Sequence, residues 1–230
     1  MRCGVAMTRV LPCLIATLLL LVACSPETML RDENLLTDEG LLTGEPCGVP
    51  CFRGITPGET SWADALTIIE DEPDFDNIQT QGPAENSSVI QVSWQQGADA
   101  PVCCQMVTEN GETVSLVFLR TAPTHSLGEL FGVHGEPTWL TGQEITEDQA
   151  VVSLVYPDLS MIVYAFVAGT AEGVVSAGSE VVGALYMEAG SVDLLLQTTE
   201  LHRWEGYGGY SDYMEGEWEV TPSVTLTPTP

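Results

Sequence analysis

No lysine occurs anywhere in the 230 residues. The six basic residues are all arginines, and only Arg31, Arg53, Arg120 and Arg203 follow position 24. Against them stand 33 acidic residues, every one beyond that position. A surface of this sign repels phosphates and anionic headgroups, which excludes a nucleic-acid role. The acid excess gives solubility and keeps copies apart. Its sharper implication is a cationic partner.

Motifs of hydrolytic and nucleotide chemistry are also missing. There is no Gly-x-Ser-x-Gly, no Walker loop and no His-Glu-x-x-His. Histidine is scarce, with His125, His134 and His202 alone. His134 falls on an apolar helical face, which is a packing position. His125 precedes a helix cap and reads as a turn residue. Nothing nominates a serine for either. The acidic stretch from Asp71 through Glu72, Pro73, Asp74, Phe75 and Asp76 to Asn77 invites calcium. Counted from Asp74, however, the fifth and sixth positions are Ile78 and Gln79, where an EF-hand needs a ligand and a glycine. The stretch reads as a solvated helix end, and no metal or other cofactor is expected.

Long apolar runs are equally rare. The one at 10–22 follows Arg2 and Arg9, is broken by Pro12 and Thr17, and ends in Leu21-Val22-Ala23-Cys24. It is shorter than the roughly 20 residues that span a bilayer core. Basic start, apolar middle and small residues before a cysteine make a secretory signal layout. The four residues 21–24 resemble the lipobox of bacterial lipoprotein precursors. That resemblance implies a signal peptide at 1–23, cleavage before Cys24, diacylglycerol on its thiol and acylation of the new amine. Two or three acyl chains hold a protein stably on a membrane where one does not. Ser25 would direct it to the outer membrane of a cell that has two. The expected location is therefore extracytoplasmic and lipid-anchored.

Four further cysteines, Cys47, Cys51, Cys103 and Cys104, would remain in the exported chain. An even number in an oxidising compartment predicts disulfides. A bond between neighbours closes a strained ring, so at least one bridge between the two groups is favoured. Closing about 50 residues that way stabilises by roughly 4 kcal/mol in the chain-entropy model. The spacing is not that of a zinc ribbon or finger.

Composition divides the rest. Residues 24–46 are acidic with scattered leucines and read as a tether. Residues 219–230 alternate Thr and Pro and read as a disordered tail. Two similar stretches lie between, 47–121 and 122–218. In the first, Ser61 precedes Asp64 by three and Trp62, Ala65, Leu66 and Ile69 share a helical face that ends before Pro73. In the second, Ser126 and Glu129 form a capping box, Leu127, Leu130, Phe131 and His134 share a face, and Gly135 and Pro137 stop the helix. Alternating runs follow each helix. Ile90, Val92 and Trp94 point one way, and 102–108 and 113–120 flank Asn110-Gly111, a strong hairpin signal. Runs 151–156 and 161–167 flank a Pro-Asp turn, 180–187 makes a further strand, and Ser191, Leu194, Leu195 and Leu201 suggest a last helix. The predicted fold is α+β: two tandem units, each a short helix plus antiparallel sheet.

Residues 54–73 resemble the opening of the small outer-membrane assembly lipoproteins of the SmpA/OmlA (BamE) type. Two such units in tandem resemble the β-lactamase-inhibitor-protein fold. The string Cys47-x3-Cys51-Phe52-x-Gly54-Ile55-x-Pro57-Gly58 is similar to a segment of uncharacterised bacterial lipoproteins. These likenesses imply a fold and do not transfer a function.

The densest aromatic stretch holds Trp204, Tyr207, Tyr210 and Tyr213 among glycines. It either completes the core as a C-terminal flap or offers a contact surface. The expectation from the whole is a non-enzymatic binding or scaffold module at the cell envelope. It would be held by its N-terminal lipid and engage a protein partner. An envelope hydrolase acting on glycan or peptide substrates is the alternative.

Overall fold

The computed structural model describes residues 30–84, 87–169 and 172–214. Cys24, the signal segment and the 219–230 tail lie outside the described residues. The compact unit treated below begins at Arg31.

Its elements in chain order are α1 (Gly40–Thr43), α2 (Trp62–Asp71), β1 (Phe75–Gln81), β2 (Ile90–Gln96), β3 (Val102–Thr108), β4 (Leu116–Arg120), α3 (Leu127–His134), β5 (Trp139–Thr146) and β6 (Gln149–Tyr156). A single 3-10 turn, Pro157–Leu159, leads into β7 (Met161–Ala168). Then come β8 (Val174–Val175), β9 (Val181–Met187), α4 (Ala189–Thr198), β10 (His202–Arg203), β11 (Gly208–Gly209) and α5 (Tyr210–Met214). The fold is α+β and dominated by antiparallel sheet. Nine strands form one sheet in the order β1-β2-β3-β4-β9-β7-β6-β5-β10, and β8 pairs with β11 apart from it. One shared sheet thus replaces the separate sheets expected under each helix. No helix among the described residues is long and apolar enough to cross a membrane.

Both predicted helices form where their caps place them. The Ser61 hydroxyl accepts from the Asp64 N–H at 3.1 Å, and Trp62, Ala65 and Ile69 are buried while Leu66 is half-buried. Glu72 turns extended before Pro73, as a residue preceding proline must. At α3 the Ser126 hydroxyl accepts from the Glu129 N–H at 3.4 Å, and the Glu129 carboxylate accepts from the Ser126 N–H at 2.8 Å. The Ser126 hydroxyl, which donates to the Glu129 carboxylate at 2.7 Å, and then the Ser126 N–H hold that carboxyl below its ordinary range. Gly135 leaves the helix with φ +76°, and its N–H donates to the Phe131 carbonyl. Leu127 and Leu130 are fully buried.

The core lies between these helices and one face of the sheet. Period two decides which side chains enter it. In β7, Met161, Val163, Ala165 and Val167 point inward, while Tyr164 and Phe166 point the other way and are half-exposed. Phe52, Phe75 and Trp94 stack at one end of the core, and the Arg53 guanidinium lies 5.2 Å from the Phe75 ring centre. Arg53 also pairs with Glu72 at 2.8 Å and Asp38 at 3.4 Å.

Four expectations need correction. The stretch read as a tether is docked from Arg31 onward. Leu35, Leu36 and Leu41 are buried in the core, and Leu36 bridges to Thr121. Three buried leucines outweigh the acidic composition around them. The disulfides are local, Cys47–Cys51 and Cys103–Cys104, with no bridge between the groups. The adjacent pair is possible because Trp94 faces Cys104 and Gln95 faces Val102, which leaves Cys103 as the extra residue of a β-bulge. A bulge interrupts the alternation that would send neighbouring side chains to opposite faces. The polar runs 75–81 and 139–146 are strands; the stretch 71–77, expected as a solvated helix end, closes the helix at Asp71 and Glu72 but enters β1 from Phe75. The last helix ends at Thr198, so Leu201 is buried beyond it and Leu194 is exposed.

Candidate functional site

Two surfaces concentrate aromatic side chains. The first is the C-terminal flap. Trp204, Tyr210 and Tyr213 are buried in the main core, and Tyr207 is 45% exposed. Phe131 of α3 joins them: its ring meets Trp204 edge-on at 5.3 Å and stacks on Tyr207 at 5.6 Å. Trp204 in turn stacks on Tyr213 at 6.0 Å. Burial and the nearby Glu136 push the Tyr207 phenol up. Three of the four predicted contact residues therefore complete the core, and Tyr207 alone is open. An acidic cleft of about 500 Å³ lies elsewhere, lined by Glu33, Asn34, Gln96 and Asp99 among others.

The second surface is the sheet face turned away from α2 and α3. Direct cross-strand partners share a face, so one row can be followed across the sheet. It runs Gln79, Ser93, Gln105, Phe118, Leu185, Ile162, Val155, Trp139 and Arg203. The adjacent row holds Arg120, Gly183, Tyr164, Ser153 and Thr141. Helix α4 packs on part of this face. Val192, Leu195 and Leu196 meet Val155, Ile162, Met187 and Leu185. The remainder, around Gln105, Val107, Phe118, Tyr164 and Phe166, stays half-exposed.

Phe118 and Tyr164 meet edge-on at 5.7 Å. Burial pushes the Tyr164 phenol up, which keeps it a neutral hydrogen-bonding group at any physiological pH. Phe166 is capped at one end by Arg31, whose guanidinium lies 5.1 Å from the ring centre and pairs with Glu180. Arg120 is tied down by a bond to the Val102 carbonyl at 3.3 Å.

The face is distinguished by what its strands omit. β2, β3, β4, β6, β7 and β9 contain no aspartate or glutamate, in a chain with 33. The carboxylates lie instead on the connections at both ends of the strands. Asp99, Asp148, Glu172 and Glu180 are at one end, and Glu109, Glu112, Asp158 and Glu188 at the other. Depletion of charge together with aromatic side chains is also what marks the centres of protein–protein interfaces in general. No family model, curated protein or solved structure matches the chain.

Sequence reading missed this face because its residues are scattered over six strands. The signal was present in β7, where Tyr164 and Phe166 occupy the positions that an exposed face would fill with polar residues. His134 Nε2 lies 2.6 Å from the Leu41 carbonyl, and buried His125 is 3.7 Å from Glu39. No group of three or more His, Cys, Asp or Glu side chains that could hold a metal occurs among the described residues.

Proposed function

We propose that the chain is a lipid-anchored, extracytoplasmic binding or scaffold module that engages a protein partner on the open sheet face. The observation that carries this reading is the acid-free aromatic face, with Phe118 and Tyr164 at its centre, in an otherwise acidic chain. Monomeric proteins rarely leave a large apolar patch without a use for it.

The tandem-unit reading belongs here too. Strands β1 to β4 follow α2 as a meander, and β5, β6, β7 and β9 follow α3 as a second. Their order in the sheet, 1-2-3-4 against 9-7-6-5, is the order that two like units joined at their last strands would give. This supports the likeness to the tandem lipoprotein and inhibitor-protein folds. The anchor rests on the residues 21–24 and Cys24.

Two experiments test the proposal. Cys24→Ser should shift the protein from the detergent phase to the aqueous phase, and an unmodified Cys24 in the wild-type chain refutes the anchor. Affinity purification from solubilised membranes should recover a partner with the wild type that Phe118→Asp loses. Equal recovery by both proteins refutes the binding face.

A further inference from the structure

We infer that the partner of the open face is a basic protein, one with an apolar centre and a rim of lysine or arginine. The inference rests on the binding-face reading above and adds the chemistry of what is bound.

The argument is charge complementarity. Across the face itself the central strands carry no carboxylate, and their single charged residue, Arg120, is held against the Val102 carbonyl. A partner can therefore bury apolar and aromatic groups against Phe118, Tyr164 and Val107 without stranding an acid. Around the face the exposed carboxylates Asp99, Asp148, Glu109 and Glu112 stand at both strand ends. Asp99 and Asp148 stand on the connections at one end of the strands, and Glu109 and Glu112 on the connection at the other. The exposed carboxylates outnumber the cations Arg31 and Arg203 at the edges of the face, and an excess of one sign steers a partner of opposite sign and raises its rate of encounter.

The same layout rejects the other occupants. A second copy would bring an identical acidic rim against this one, and like charges juxtaposed in an interface cost several kcal/mol. Anionic lipid surfaces and nucleic acid meet the same repulsion. A neutral protein would gain nothing from the rim, and the segregation of acid from centre to edge would have no use.

The test uses the full lipidated chain in cells that make it. A photocrosslinking residue replaces Ser93, which lies on the open face beside Gln105, and as a control replaces Gln197, exposed on α4. Crosslinked products are identified by mass spectrometry. The expected result is one principal adduct from position 93, to a protein of high isoelectric point. Its yield should fall about tenfold on Gln105→Glu or Phe118→Asp, as when a central contact is lost. It should fall several-fold when Asp99, Glu109, Glu112 and Asp148 become amides, and likewise in 0.5 M salt, where screening is nearly complete beyond about 4 Å. Gln105→Glu is a surface change and keeps the test valid should Phe118→Asp unfold. An adduct from position 93 that is indifferent to salt and to the amide variant refutes the basic partner and leaves the binding face standing. No adduct from position 93, or equal adducts from positions 93 and 197, refutes both.

Discussion

Phe118 and Tyr164 touch across a strand that separates them. Their rings meet edge-on at 5.7 Å over β9, where Gly183 faces Tyr164 directly. A Cβ at position 183 would lie 2.6 Å from the Leu119 carbonyl oxygen and 3.6 Å from the Tyr164 ring. Contact with a neighbouring backbone cannot be relieved by a rotamer change. Gly183→Ala should therefore destabilise the protein by roughly 1–3 kcal/mol, the usual cost of overpacking. Urea melts measure it, and an unchanged midpoint would show that the β4–β9 seam can open without penalty.

The helices should differ in sensitivity. Leu130 is fully buried and Leu66 only partly. Leu130→Ala should cost about 2–5 kcal/mol and Leu66→Ala clearly less. Ser61→Ala and Ser126→Ala should each cost about 1 kcal/mol through loss of the cap. Thermal melts of the four variants would order them, and an equal loss at both leucines would contradict the burial difference.

Non-reducing peptide mapping should find the two local disulfides. No peptide should link Cys47 or Cys51 to Cys103 or Cys104. Because Cys47 and Cys51 enclose a loop of a few residues, replacing both with serine should cost about 2 kcal/mol on chain entropy. A cost near that of a 50-residue loop would point to long-range pairing instead.

His202 gives stability a pH dependence. Burial pulls its pKa below the ordinary 6.5, and Glu200 opposes that only in part. The folded state therefore binds the proton less readily than the unfolded chain. The contribution is fully present above pH 6.5 and is lost as pH falls from there through the folded value. Since protonating carboxylates alters the whole surface, the measurement is a difference. Wild type should lose more stability than His202→Gln between pH 7 and pH 5 in urea melts, and parallel curves would remove His202 from the account.

Much of this fold was legible in the residues. Ser61, Ser126 and Glu129 marked helix starts, and Pro73 and Gly135 marked ends, because caps act locally. The central strands were legible because one buried face imposes a period of two. β1 and β5 were not. β1 is an edge strand with one buried residue in seven, and β5 has only the two-residue β10 beyond it. A strand solvated on most of its length leaves no hydrophobic alternation to read. The docking of Leu35, Leu36 and Leu41 was hidden for a different reason. Three leucines in an acidic segment find their partners only in tertiary structure. The same holds for the candidate face, since register places Gln105, Phe118 and Leu185 side by side from three separate strands.

The seam between β4 and β9 has a kinetic consequence. On either side of it the meanders pair strands that follow one another along the chain. The seam itself needs residues 116–120 to find 181–187, and the entropy of closing that loop is spent before any contact repays it. The meanders should therefore assemble first and the seam close late. Phe118 lies on one side of it and Tyr164 on the other, so the surface they form arises only at the end of folding. A chain that has folded only its two halves does not yet present that surface.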